Sequence, residues 1–476
     1  MTDAPQLRRT LGTAALTLYG VGVIVGAGIY VLVGEVVAEV GAAAWMAFLG
    51  ASLVALPTGL AYAELASRYP ESAGEAVYAD RAFGRPSLSF LVGFLVVASG
   101  VTSVAAVTHG FADYLGALLG PAMPSRPVVV VGVLGVLTFV NYRGIRESTW
   151  FNVVCTVLSV AGLLVLALGG AGHWSAAPAL LDASLRVPPA ALLGTVALAF
   201  YAFIGFEDIC NMAEDVEHPS AAIPRAILWS LAISTGLYVM VTMTALCVVP
   251  MGELAASATP LHLVAERLWP GLWPGWLAVV ALLAVLNTAL FNLVMTSRVL
   301  YGMARRSWLP AALGRVAART RTPWVAVLAA FGLAAALALT GVLGVLARAT
   351  NVIILLAFAA VNLSLLVVRA RRRPPSVEPE QVFRVPVVVP ALGLVATVVL
   401  LLRLPVAAFS RAGLVVALGA ALHLLARRRL RAGEGGAEGE GGLRARAARA
   451  ARAARAARRG EGGAAQARRG KRSTSR

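Results

Sequence analysis

The sequence is poor in charged residues, in cysteine and in metal-binding motifs. Only 13% of its 476 residues are charged, whereas soluble domains average about a quarter, so an ordinary water-soluble enzyme is excluded. The three cysteines are odd in number and form no CxxC motif, and the five histidines show no HExxH spacing. These absences predict that the protein has no disulfide framework, no metal site and no bound cofactor.

Positive charge is concentrated at the carboxyl end. Residues 427–476 hold 16 basic and 4 acidic residues, and so account for +12 of the net charge of +18. The remaining chain is nearly neutral and very apolar, with 59% apolar residues and a mean hydropathy of +0.79 over the whole sequence. The net charge therefore gives little reason to expect a nucleic-acid partner.

Long apolar windows dominate the rest of the chain. A bilayer core about 30 Å thick is crossed by a helix of about 20 residues, and roughly twelve windows near this length contain few charges. Their limits are 11–33, 42–65, 88–119, 128–141, 150–168, 190–208, 226–249, 277–303, 325–343, 351–368, 385–402 and 413–425. The sequence predicts an all-α integral membrane protein with about 12 transmembrane helices.

Arginine placement predicts the orientation of these spans. If the amino terminus (residues 1–10) is cytoplasmic, the inner connections carry 18 arginines and the outer ones 6. This is the bias that the positive-inside rule describes. An even number of spans then puts both termini in the cytoplasm of a cell-membrane protein, and the basic tail (427–476) beside anionic lipid headgroups. Binding of nucleic acid by the tail is the weaker alternative.

The first apolar window contains four glycines within nine residues, at Gly20, Gly22, Gly26 and Gly28. Glycines in a membrane helix often only let two helices approach closely. Their density here favours a discontinuous helix, broken near residues 25–29. The free amide groups at such a break form a half-helix amino terminus, which attracts an anionic group.

The sixth window ends in Gly205 followed by Glu207 and Asp208. A carboxylate at the bilayer centre costs roughly 2.5 to 3.5 kcal/mol, so a buried acid here needs a function. Because neighbours on a helix lie about 100° apart, only one of the two acids can face the bundle squarely, and we expect it to be Glu207. The alternative is that the span ends at Gly205 and that all five nearby acids are solvated, namely Glu207, Asp208, Glu214, Asp215 and Glu217.

Four motifs together carry a family resemblance. They are Val-Gly-Ala-Gly-Ile-Tyr at 25–30, Ala-Glu-Leu-Ala-Ser-Arg-Tyr-Pro at 63–70, Phe-Ile-Gly-Phe-Glu-Asp at 203–208 and Ser-Arg-Val-Leu-Tyr-Gly-Met-Ala-Arg at 297–305. In this order the chain resembles the amino acid, polyamine and organocation permease superfamily. The resemblance implies a leucine-transporter-type fold, in which residues 11–370 form a five-plus-five inverted repeat and residues 385–426 two additional spans.

The resemblance also implies a substrate site. The substrate carboxylate would meet the amides of Gly26, Ala27 and Gly28, and the substrate ammonium would meet backbone carbonyls near Phe203 and Ile204. Amides suit an anion and carbonyls suit a cation, so a zwitterion would bridge the two breaks.

Further roles are implied by the same resemblance. Tyr201 would be an aromatic gate over the substrate, Glu207 an acid linked to binding or gating, and Asn292 part of the side-chain pocket. Ser159 occupies the position at which some relatives have a proton-sensitive lysine, so proton coupling would depend on Glu207, while a sodium site or pure exchange stays open.

Glu64 and Arg68 are four residues apart at the end of the second window. They are predicted either to form an ion pair or inner gate, or to lie at an ordinary solvated helix end, and the second alternative is the one favoured.

The function predicted from the sequence is secondary transport of amino acids, neutral ones first, by alternating access with proton coupling or exchange. The alternatives are a cationic amino acid or polyamine transporter and a membrane sensor that binds an amino acid without moving it. A channel is disfavoured, because the sequence shows no ring of repeated polar residues. The oligomeric state is left open.

Overall fold

The computed structural model describes residues 12–71, 74–143, 145–211, 216–271, 275–306, 308–377, 382–414, 416–417 and 420–421. All regular elements in these ranges are helices, and none of the ranges contains a β-strand. The predicted amino-terminal segment (1–10) and the predicted basic tail (427–476) lie outside the described residues, as does the end of the last predicted window.

Eighteen α-helices are described in chain order. They are α1 (Thr13–Ile24), α2 (Ala27–Val40), α3 (Ala44–Arg68), α4 (Gly74–Phe83), α5 (Pro86–Leu119), α6 (Arg126–Arg143), α7 (Ile145–Gly169), α8 (Ala177–Ser184), α9 (Pro189–Ala199), α10 (Asp208–Asn211), α11 (Pro219–Val248), α12 (Met251–Ala256), α13 (Pro260–Leu268), α14 (Trp276–Arg305), α15 (Trp324–Thr340), α16 (Leu343–Ala370), α17 (Val388–Arg403) and α18 (Val406–Leu414).

The all-helical membrane fold predicted from the apolar windows is confirmed. Among the described residues, eight helical segments are long and apolar enough to cross a bilayer, and a ninth is counted if α17 and α18, which meet at 105°, form one span. The first predicted window is split between two short helices, and the ninth is a helix of only 17 residues. The count of twelve and the inverted repeat therefore stay predictions.

The centre of the bundle is α5, which packs along α14 and α16, while α11 packs along α3 and α1. Large apolar side chains on the outer helices remain exposed, for example on α6, α7, α15 and α17: Val136, Phe139, Leu168, Leu328 and Leu402. Exposed apolar surface on this scale is unusual in a soluble monomer and suits contact with lipid.

The bundle has two ends, which differ in their residues. The inner end carries Arg68 at the end of α3 and Arg369 near the end of α16, and the arginine bias predicts that it is cytoplasmic. The outer end carries Val40, where α2 ends, and Leu343, where α16 begins.

Candidate substrate site between two helix breaks

The first membrane helix is interrupted at Val25 and Gly26. α1 ends with Ile24, and the Val25 N–H donates a hydrogen bond back into α1 at 2.7 Å. α2 begins at Ala27 after Gly26, whose φ of −87° and ψ of −138° are not helical. The break predicted near residues 25–29 is therefore present. The first amides of α2 have no acceptor within their own helix, as at any helix amino terminus.

The Thr288 side chain of α14 reaches the start of α2. The Ala27 N–H donates to Thr288 Oγ1 at 2.9 Å, and this hydroxyl donates to Ala284 O at 3.1 Å. Only glycine fits at position 26, because a Cβ on Gly26 would overlap Thr288 Oγ1. One of the amides predicted to bind the substrate carboxylate is thus already hydrogen-bonded, to a residue that the sequence motifs did not indicate.

The second break lies where α9 ends at Ala199. A 3-10 turn (Phe200–Phe203) follows, and α10 begins only at Asp208. Between them Gly205 has a φ of +122°, a conformation that side chains disfavour. A Cβ on Gly205 would also overlap the Val23 side chain of α1, so the two breaks are in direct contact.

Tyr238 of α11 connects the two breaks. Its hydroxyl lies 2.6 Å from Ile24 O, the last residue of α1, and 2.9 Å from Ala202 O in the 3-10 turn. Both carbonyls lose their helical hydrogen-bond donor at their break. A buried carbonyl without a donor is costly. One side chain from a third helix therefore provides a donor shared by the two breaks.

A small cavity lies between the breaks. It is lined by α1 and α2, by the second break, and by α5 and α14, through Val23, Ile24, Ala27, Gly28, Ser103, Tyr201, Ala202, Ile204, Gly205, Asp208, Thr288, Phe291 and Asn292. No group of three or more histidine, cysteine or acidic residues that could hold a metal ion occurs in the described part of the chain. The lining thus combines backbone groups, hydroxyls, one amide side chain and one carboxylate.

The structure brings five of the eight predicted substrate-binding residues to this cavity. The predicted residues in the lining are Ala27, Gly28, Tyr201, Ile204 and Asn292. Gly26, Phe203 and Glu207 belong to the two breaks but do not line the cavity. The lining also contains several residues that were not predicted, of which Thr288, Asp208 and Phe291 have the largest polar or aromatic side chains.

The two neighbouring acids of the second break have different positions. Glu207 is 4% exposed, and its Oε2 accepts a hydrogen bond from the Gly205 N–H at 2.8 Å. The alternative in which Glu207 lies in water is therefore wrong. Asp208 is the acid that lines the cavity. Since Glu207 turns back to bind the freed amide of the break, its side chain stabilises the break and does not face the cavity.

Tyr201 lines the cavity and is held by Ser103 of α5. The Tyr201 hydroxyl lies 3.1 Å from Ser103 Oγ and also donates to Ser103 O at 3.3 Å, and Tyr201 is buried. Among the other lining residues, Asp208, Phe291 and Asn292 are only half-buried.

Ser159 lies away from the cavity. It is buried on α7, and its carbonyl accepts a hydrogen bond from the Tyr30 hydroxyl of α2 at 3.0 Å. The coupling role considered for this position stays a prediction.

Glu64 is buried at the inner end, so the solvated helix end favoured from the sequence is wrong. Its carboxylate is 2.7 Å from Arg68, forms a second ion pair with Arg369 of α16, and accepts a hydrogen bond from the Val385 N–H at 2.9 Å. The second arginine comes from a position 305 residues along the chain, which the local i, i+4 spacing could not reveal. A gating role for Glu64 stays a prediction.

Known proteins similar to this chain are transporters. The branched-chain amino acid permease of Bacillus subtilis (strain 168) is 28% identical over 385 residues, which cover 77% of this chain and 82% of that protein. Cationic amino acid transporter 4 of Mus musculus is 30% identical over 398 residues, covering 79% of this chain and 62% of that protein. The methylthioribose transporter of Bacillus subtilis (strain 168) is 27% identical over 416 residues, covering 81% and 86%.

Residues 11–418 match the amino acid permease family. This range includes both helix breaks and the whole lining of the cavity between them. The chain therefore belongs to the amino acid permease family, and it is a multi-pass membrane transporter and not an enzyme.

Proposed function

We propose that this protein moves neutral amino acids across the cell membrane by alternating access. The observation that carries the proposal is the contact between two helix breaks around one small cavity, with amides on one side and carbonyls on the other. A plain lipid-facing helix would contain neither break, because unpaired backbone groups are costly in the bilayer.

The α-amino and α-carboxyl groups of the substrate would bridge the breaks. The amino terminus of α2 offers the Gly28 and Ala27 amides to the carboxylate, and the helix dipole adds to the attraction. Carbonyls of the second break near Ala202, Phe203 and Ile204 would accept hydrogen bonds from the ammonium. Binding requires the carboxylate to take the place of Thr288 Oγ1 at the Ala27 amide.

The side-chain end of the site is mainly apolar, through Ile24, Ile204 and Phe291, and Asn292 adds one amide. This lining supports a neutral substrate. One specific observation supports a second candidate, a cationic amino acid or polyamine: Asp208 is the carboxylate among the described lining residues. The names of the relatives include both classes, a branched-chain permease and a cationic amino acid transporter.

Counterflow in proteoliposomes tests transport and substrate class together. The purified full chain is reconstituted, the vesicles are loaded with one unlabelled amino acid or polyamine, and uptake of the labelled form is followed. Preloaded neutral amino acids should accelerate uptake, and lysine or putrescine should not. Acceleration by lysine alone would favour the second candidate, and binding without any acceleration would identify a sensor.

The variant Gly26→Leu tests the location of the site. The leucine side chain would enter the space of Thr288 Oγ1, so we expect no counterflow although the variant still inserts into the membrane. Normal counterflow by this variant would contradict the location of the site.

Coupling to protons is the second part of the proposal, with exchange as the alternative. Glu207 is a buried acid bound to the backbone of the second break, so a proton on it would weaken the hydrogen bond that holds Gly205. If protons drive uptake through this residue, Glu207→Gln should flatten the pH dependence of uptake. An unchanged pH profile would mean that proton coupling depends on a residue other than Glu207.

We also propose that both termini are cytoplasmic. Arginine placement supports cytoplasmic termini and a basic tail, residues 427–476, beside anionic headgroups. Protease protection of a tag at residue 476 in sealed right-side-out vesicles should place the tail inside, and cleavage of the tag would reverse the orientation.

A further inference from the structure

Glu75 is a buried acid outside the substrate cavity. It lies on α4, the short helix between the second and third apolar windows, and is only 2% exposed. Its Oε1 is shielded from solvent and has no hydrogen-bond partner among the described residues. Among the described residues it forms no ion pair of the kind that neutralises Glu64. A buried carboxyl oxygen left without a partner needs a reason, because burial of an unpaired polar atom is costly.

Two tyrosines lie beside it, and their hydroxyls also lack hydrogen-bond partners in the described part of the chain. Tyr62 of α3 and Tyr78 of α4 are both fully buried, and their rings are 6.3 Å apart in an edge contact. The Tyr62 hydroxyl is close to the Glu75 carboxyl but does not meet the geometry of a hydrogen bond. Glu75, Tyr62 and Tyr78 thus form a buried polar cluster with unused hydrogen-bonding capacity.

The cluster extends towards the second helix break. The Tyr62 ring contacts the Phe206 ring at 6.2 Å, and Phe206 directly precedes Glu207. The Tyr62 ring therefore lies between Phe206 of the second break and Tyr78 of α4, the helix that carries Glu75.

The other titratable and charged groups near Glu75 are few. Cys210 of α10 is buried beside Tyr62 and Tyr78. Arg371, the residue after α16, lies at the far end of α4 and donates a hydrogen bond to Ala82 O at 3.2 Å. The remaining ones belong to α4 or flank it on the inner side: Glu71, Asp80 and Arg81, with Arg81 2.8 Å from Glu71 and Asp80 3.2 Å from Ser89 of α5. No cation among these groups pairs with Glu75.

Two buried carboxylates that repel each other are not both ionised, so such a pair holds one proton over a wide pH range. Burial raises the pKa of Glu75 from 4.5 to about 7, with smaller opposing effects from its own backbone N–H and from the Tyr62 hydroxyl. Protonation of this group therefore changes near neutral pH.

We propose that Glu75 is a proton-binding site that shares one proton with Glu207 through the Tyr62 hydroxyl and exchanges it with solvent at the inner end. When Glu207 loses its proton to Tyr62, Tyr62 passes its own to the Glu75 carboxylate, and the pair keeps a total charge of −1. Glu207 is then free to accept the Gly205 N–H as an ionised group. The inference rests on the proposed transport function and adds to it the residue that takes up the coupled proton.

The test uses the full chain in proteoliposomes, with labelled L-leucine and L-alanine as probes and two measurements on each variant. Counterflow at equal pH on both sides reports substrate binding and alternating access. Accumulation driven by an imposed pH gradient reports proton coupling. Glu75→Gln should keep counterflow and reduce gradient-driven accumulation to the level seen without a gradient. Glu71→Gln, which removes a partly exposed acid at the same end, should keep both activities.

The outcomes separate the two proposals. Absence of counterflow in the unmodified protein would overturn the transport function and this inference with it. Counterflow with no effect of the pH gradient would leave transport standing and overturn the inference, as would full gradient-driven accumulation by Glu75→Gln. If Glu75→Gln does not fold, Tyr62→Phe is decisive: it keeps both acids, and unchanged gradient-driven uptake by this variant overturns the route through Tyr62.

Discussion

Thr288 Oγ1 accepts the hydrogen bond of the Ala27 amide at 2.9 Å, at the point where the substrate carboxylate is expected. The two residues are 261 positions apart. The hydroxyl keeps a buried amide satisfied while the site is empty, and a carboxylate must displace it. Thr288 thus competes with the substrate for the same donor.

Replacing Thr288 should therefore tighten binding. In Thr288→Ala the empty site has an amide without an acceptor, which destabilises it relative to the bound site by about 1 kcal/mol and lowers the Kd about fivefold. Isothermal titration with the substrate identified by counterflow measures the change. Weaker binding would show that the hydroxyl contacts the substrate and does not compete with it.

Gly205→Ala should abolish transport. The positive φ of +122° costs a side chain about 1 to 3 kcal/mol, and the new methyl group would overlap Val23 across the two breaks. Gly236 on α11 is the matched control, because a Cβ there meets no atom within 4 Å. Gly236→Ala should transport normally in the same counterflow assay. Equal activity of the two variants would contradict the close contact between the breaks.

Loss of Glu64 should destabilise the inner end strongly. Glu64→Ala removes a buried carboxylate from between Arg68 and Arg369, and breaking such a buried pair costs about 3 to 5 kcal/mol. Glu253→Ala breaks an ion pair with Arg267 that is 48% exposed on both sides, and exposed pairs are worth about 0 to 1 kcal/mol. Thermal unfolding in detergent should separate the two variants clearly. Similar melting temperatures would contradict the conclusion that the buried ion pairs of Glu64 stabilise the inner end.

The raised pKa of Glu75, about 7 against 4.5, makes its contribution to stability depend on pH. A carboxyl whose pKa is higher in the folded protein binds its proton more tightly there, so its contribution is complete below pH 4.5 and is lost as the pH rises towards 7. Each pKa unit corresponds to about 1.4 kcal/mol as an upper limit.

The corresponding measurement is the melting temperature across this pH range. The unmodified protein should lose stability relative to Glu75→Gln between pH 4.5 and pH 7, since the glutamine cannot ionise. Glu71→Gln should behave like the unmodified protein. Parallel curves for all three proteins would show that Glu75 does not change its charge in this range.

The cluster of four glycines located the first break, and Gly205 with the two following acids, together with the family resemblance, located the second. The Gly26 and Gly205 positions are both explained by close contacts at the breaks. From the sequence we expected Glu207 to be the acid that faces the bundle, yet Asp208 is the one that lines the cavity. That expectation assumed a regular helix, whereas the positive φ of Gly205 changes the direction of the chain at that point. Thr288 was missed because its partner is distant in the chain and a single threonine in an apolar helix carries no pattern.

The Tyr238 hydroxyl lies between two carbonyl oxygens of the helix breaks. A phenol carries a single hydrogen, yet it lies within bonding distance of two acceptors, Ile24 O and Ala202 O. At any instant the hydroxyl donates to one of these oxygens, and the other oxygen is available to accept a hydrogen bond from a different donor. A positively charged nitrogen arriving between the unwound segments would find that vacant oxygen without any rearrangement of the main chain.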